Sequence, residues 1–81
     1  MASHEWEFMK NDKWHYFDNV EYFAFRLTKE APKEVYKSYK TYLEDALYLE
    51  EISEYDYKEL LEELENFEQE KIKNLFIKNN L

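Results

Sequence analysis

Hydrophobic residues keep a strict helical spacing along the second half of this chain and a mixed spacing along the first. Tyr57, Leu60, Leu61, Leu64, Phe67, Ile72, Leu75 and Phe76 stay on one face of a 3.6-residue period for more than five turns. Ahead of them, Ser53-Glu54-Tyr55-Asp56 reads as an N-cap with an acid at the third helical position. The spacing predicts a helix over about 53–78. Upstream, Val35, Tyr39, Tyr42, Ala46 and Leu49 recur at four-three spacing, and Tyr36 and Leu43 widen the stripe. Thr28 is a candidate cap for that stripe. Pro32 fits its first turn, where a missing N–H costs little. A helix over about 29–50 is predicted. The connection near Glu51-Ile52-Ser53 is short, so the two helices should fold back as an antiparallel helical hairpin.

The first 31 residues support two readings. Trp6 and Phe8 alternate with Glu5 and Glu7, Trp14 and Tyr16 flank His15, and residues 10–13 suit a turn; together these describe a β-hairpin. A helix capped by Asp12 competes, with Trp14, Phe17, Val20 and Ala24 on one face. Further on, Asp18-Asn19-Val20-Glu21 matches a capping box, and Phe17, Val20, Phe23, Ala24 and Leu27 form a helical stripe. Against that, residues 20–25 are rich in strand formers, and Asp18-Asn19 suits a two-residue hairpin turn. The capping box and stripe favour a helix over 18–31. The expected fold is mainly α: a small helical bundle built on the C-terminal hairpin, with an aromatic N-terminal segment open to a β-hairpin. The alternative is α+β, a β-meander followed by two helices.

Charge changes this picture. Residues 44–70 hold twelve acids and one base, Lys58, for a net −11, while residues 1–43 are neutral and the last eleven carry +3. Helix electrostatics favour Glu54, Asp56 and Glu59 near a helix N-terminus and Lys71, Lys73 and Lys78 near its C-terminus. They do not explain the middle, where like-charged pairs such as Glu51–Glu54, Glu59–Glu62 and Glu62–Glu65 lie three apart. The set costs roughly 1–3 kcal/mol before screening. A sequence selected only for solubility would intersperse lysines.

Composition narrows the function classes. A chain of 81 residues makes one domain with a thin stability margin. Eight Tyr, six Phe and two Trp supply the buried area that so small a core needs. There is no Cys, which removes disulfides and thiolate metal sites. There is no Gly, where an average chain of this length holds about six. Phosphate loops and dinucleotide turns need that residue. A net charge of −8 argues against direct binding to nucleic acid, whose affinity comes from Lys and Arg. No secretory signal or membrane span is legible, so the expected location is the cytoplasm, or the host cytoplasm for a phage-encoded chain.

No catalytic constellation stands out. Asp12, His15 and Asp18 would share a helical face, but one such spacing falls well short of a metal site. Ser3, Ser38 and Ser53 lack a nucleophile-elbow context. No enzyme activity, cofactor or metal is expected. No family motif is recognised. The leading expectation is a small acidic inhibitor that occludes a basic nucleic-acid-binding protein or nucleoprotein complex. That character is shared with anti-CRISPR and anti-restriction proteins of phages and mobile elements. Glu50, Glu51, Glu54, Asp56, Glu59, Glu62, Glu63 and Glu65 would face Lys and Arg, with Tyr48 or Tyr55 as an aromatic anchor. The alternative is a structural module or adaptor that forms a homodimer, or docks, through its aromatic N-terminal segment.

Overall fold

Asp18 decides how the first elements form. Its Oδ1 accepts the backbone N–H groups of Val20 and Glu21, each at 2.9 Å, as the capping box predicts. The turn does not continue into a helix. Phe23 takes φ 52°, outside the helical region, and the chain returns as a strand. In the computed structural model, which describes residues 6–79 and side chains as far as residue 73, β1 (His15–Asp18) and β2 (Ala24–Leu27) form an antiparallel hairpin. The expected helix over 18–31 is therefore corrected. A helical stripe there would bury Val20 and Phe23, which are 85% and 65% exposed, whereas the strands bury Ala24 and Leu27. The earlier pairing expected around residues 10–13 is corrected too. Glu7–Met9 forms a single 3-10 turn that drives Phe8 into the core.

After β2, Thr28 turns back to β1 instead of capping a helix. Its N–H donates to the Trp14 carbonyl at 2.9 Å and its hydroxyl donates to the Lys13 carbonyl. Pro32 is extended, a 3-10 turn covers Lys33–Val35, and α1 runs Tyr36–Tyr48, later and shorter than the sequence pattern suggests. The residue before a proline is pushed out of helical geometry, which sets the later start. α2 runs Glu54–Asn79. Ser53 caps it as predicted, with its Oγ accepting the Asp56 N–H at 3.1 Å.

The architecture is a β-hairpin followed by a helical hairpin, with the α+β character of the alternative reading. Leu43 and Ala46 of α1, Ile52 of the connection, and Leu60 and Leu64 of α2 share one core with Phe8, Ala24 and Leu27. Two tyrosines of α1 lock β2 in place. The Tyr39 hydroxyl donates to the Phe25 carbonyl at 2.9 Å, and the Phe25 N–H donates to the Tyr42 hydroxyl at 3.0 Å. The hairpin is fastened to α2 by Arg26, which bridges Asp18 at 3.1 Å and Glu63, and by the Tyr22 hydroxyl, which donates to Glu59 at 2.8 Å. Among the described residues no helix is long and apolar enough to cross a membrane.

Candidate functional site

The end of α1 shapes the most exposed acidic surface. Leu49 follows the helix, and Glu50 takes φ 61°. The Glu50 N–H donates to the Leu47 carbonyl at 3.0 Å, and the Glu51 N–H donates to the Ala46 carbonyl at 2.8 Å. Those two bonds define a Schellman ending, with Glu50 at the left-handed position usually held by glycine. The turn presents Tyr48, Leu49 and Glu50 outward; Tyr48 is 84% exposed. Ile52 drops back into the core and Ser53 starts α2, so Glu54 and Tyr55 emerge beside Glu50 and Glu51.

The β-hairpin turn completes this tip. Glu21, Tyr22 and Phe23 line one wall of an open groove of roughly 610 Å³, and Leu47, Glu50, Glu51, Glu54 and Asp56 line the rest. Phe23 and Glu50, the two non-glycine residues with positive φ among those described, both lie in that groove. Glu21, Glu50, Glu51 and Glu54 are exposed, and Asp56 is half-buried. Among the described residues the ion pairs are the two made by Arg26, so none of the tip carboxylates is in an ion pair.

The tip thus brings together Tyr48, Glu50, Glu51, Glu54, Tyr55 and Asp56 from the residues singled out in the sequence. The other four separate along α2. Glu62 and Glu65 are exposed on its flank. Glu59 and Glu63 turn towards the hairpin, where Tyr22 and Arg26 engage them. These two of the acids expected to face a partner's Lys and Arg thus have partners within the chain. Glu59, as hydrogen-bond acceptor, raises the Tyr22 hydroxyl far above the ordinary tyrosine range and raises Tyr55 as well. Asp18 is held below the usual carboxylate range by the N–H groups of Glu21 and Val20, with Arg26 adding to the effect.

Glu21 and Phe23 were not singled out for the site. Glu21 belongs to the capping box and Phe23 to the helical stripe, and neither signal shows that this turn meets the α1–α2 connection. Asp12, His15 and Asp18 do not share a helical face. His15 opens β1 with its Nδ1 3.2 Å from the Phe8 carbonyl oxygen and 3.1 Å from that of Asn11. Among the described residues no three acidic or imidazole groups are gathered as metal ligands. No family model matches the chain, and neither a curated protein nor a solved structure is significantly similar to it.

Proposed function

We propose that this chain is a non-catalytic binding protein that occludes a basic, nucleic-acid-binding surface of another protein in the cytoplasm. The observation that carries the reading is Glu50. An exposed glutamate is held in left-handed geometry, flanked by Tyr48 and Glu51, where glycine would serve the turn at lower cost. The left-handed conformation costs a residue with a Cβ roughly 1–2 kcal/mol. Strain kept on a solvent-facing acid is a motive for assigning that acid a role. Glu21, Glu51 and Glu54 surround it, and none of the four forms an ion pair among the described residues. Such a surface steers towards Lys- and Arg-lined clefts and accelerates encounter with them. Tyr48 and Tyr55 add apolar area and a hydroxyl at little rotational cost, as interface anchors do.

The test is capture from a lysate with two baits. One is the native chain. The other carries Glu50→Gln, Glu51→Gln and Glu54→Gln, with its fold checked by circular dichroism. Nucleic-acid-binding proteins retained by the first bait alone, and released by salt, support the reading. Equal capture by both baits refutes it.

A second reading, a structural module that docks through its aromatic N-terminal part, is favoured by the exposure of Phe17, Val20 and Phe23. Binding of that kind tolerates salt and fails when those side chains are truncated.

A further inference from the structure

Residues 19–23 cross from β1 to β2 on few attachments. None of them is buried, and Tyr22 is the one that reaches half-burial. The N–H groups of Val20 and Glu21 donate to Asp18 Oδ1. Tyr22 makes the contacts to the rest of the molecule. Its hydroxyl donates to Glu59 of α2 at 2.8 Å, and its ring centroid lies 5.0 Å from the Arg26 guanidinium. Arg26 is held in turn by Asp18 and Glu63, so it forms a fixed seat for that ring. Phe23 works against these contacts. It holds φ 52°, a conformation unfavourable for a bulky side chain, and its ring is exposed and so gains little burial in return. The flanking strand is anchored quite differently: Ala24 and Leu27 are buried, and Phe25 is bonded to Tyr39 and Tyr42.

We propose that residues 19–23 form a flap, fastened by Tyr22, that opens while the rest of the fold stays closed. The inference concerns the chain by itself and stands or falls apart from the role assigned to the acidic tip. A segment with little burial and a strained residue opens at a lower free energy than the strands and helices it joins. Opening breaks the two bonds to Asp18, lifts Tyr22 from Arg26 and Glu59, and lets Phe23 leave the left-handed region. Its consequence follows from where Tyr22 stands. One side of Tyr22 lines the tip groove of roughly 610 Å³. It also lines a cleft of roughly 220 Å³ with Glu59, Glu62, Glu63 and Asn66. With Tyr22 lifted, groove and cleft become one trough, and Glu59 loses its internal donor. The carboxylates of the tip then run on into those of α2. Closed and open states thus differ in the length of acidic surface they present. On the function proposed above, the open state would offer a basic partner the longer surface.

Amide hydrogen exchange followed by NMR tests this, with Val20 and Glu21 as reporters and Phe25 as the reference. In the native chain the two reporters should be protected at least about tenfold less than the Phe25 amide. Tyr22→Ala and Glu59→Ala should each speed the reporters by roughly five- to fiftyfold and leave Phe25 within about twofold. Glu59 accepts from Tyr22 and takes no part in the bonds of the reporter amides, so its effect on them passes through the fastening. The chain has no Cys, so nitroxides on Val20→Cys and Glu65→Cys give a second readout. The distribution of distances between them should widen when Glu59→Ala is added. Should Tyr22→Ala disturb the fold, Glu59→Ala and the nitroxide pair decide. Reporters protected as strongly as Phe25 overturn the proposal, because the turn then opens only with the whole fold. Reporters and distances indifferent to Glu59→Ala overturn it as well, and so does Glu59→Ala speeding Phe25 as much as the reporters.

Discussion

Removing the hydroxyls of Tyr39 and Tyr42 probes how the β-hairpin is held to α1. Tyr39→Phe keeps the ring, which packs edge-on against Phe8 at 5.0 Å and stacks on Tyr42 at 5.9 Å. It deletes only the 2.9 Å bond to the Phe25 carbonyl. Tyr39 is 2% exposed, so water cannot easily replace the lost donor. A net hydrogen bond contributes about 0.5–1.5 kcal/mol, and an acceptor left unsatisfied raises the loss to about 1–3. For Tyr39→Phe about 1–2 kcal/mol is expected. Tyr42 is half-buried, so Tyr42→Phe should cost less, about 0.5–1.5 kcal/mol. The double variant should lose about 2–3 kcal/mol, which in a domain of this size lowers Tm by about 10–20 °C. Urea unfolding followed by circular dichroism gives the free energies, and hydrogen exchange of the Phe25 amide reports local opening. Tyr42→Phe should speed that exchange more than Tyr39→Phe, because Tyr42 is the acceptor for that N–H. A double variant within about 0.5 kcal/mol of the native chain would refute the view that these hydroxyls secure β2.

Four further outcomes are expected. Glu50→Gly relieves the left-handed glutamate and should raise stability by about 1 kcal/mol in urea unfolding, while lowering capture of a basic partner. Ser53→Ala removes the cap of α2 and should cost about 1 kcal/mol, whereas Ser53→Asp should be near neutral by the same assay. The Asp18 carboxyl is depressed in the fold, so its contribution is present above about pH 4 and lost as pH falls through the folded value. The gap in urea midpoint between native chain and Asp18→Asn should therefore close between neutral pH and strong acid. Burial raises the Tyr39 hydroxyl far above its ordinary range, so its contribution is complete below about pH 10 and lost as pH rises further. Tyr39→Phe should flatten the alkaline fall in Tm.

Much of the helical hairpin was legible because its signals agree. The stripe of α2, its Ser53 cap and the short connection all point one way, and the helix begins one residue after the cap. The pattern starts α1 too early because Thr28 and Pro32 satisfy helix-start rules that tertiary contacts override. The Thr28 hydroxyl has the Lys13 carbonyl to bond, a partner 15 residues away that no local pattern reveals. The strand reading of residues 18–27, the alternative to a helix, prevails for a related reason. Asp18 makes both bonds of a cap, so the signal was real, but the outcome depended on Tyr39 and Tyr42 waiting on α1 to receive an extended Phe25. The acidity of the tip was legible from charge spacing. The contribution of Glu21 and Phe23 was not, because it comes from a turn brought close only by that docking.

The division of the acids bears on why the chain carries so many. Glu59 and Glu63 have internal partners that tie the hairpin to α2. Glu54 and Asp56 suit the N-terminus of α2 on electrostatic grounds alone. Neither account reaches Glu50 and Glu51. They follow the C-terminal end of α1, where the helix field favours a cation, and Glu50 also occupies a backbone position that disfavours any side chain. Two independent costs thus fall on one exposed pair, beside an aromatic that is 84% exposed. A solvated face needs none of this, since lysine at either position would match the helix field and glycine would relax the turn. On the function proposed above, a basic partner would supply the missing compensation: a guanidinium against Glu50 and Glu51 would relieve the repulsion and the unfavourable helix field together.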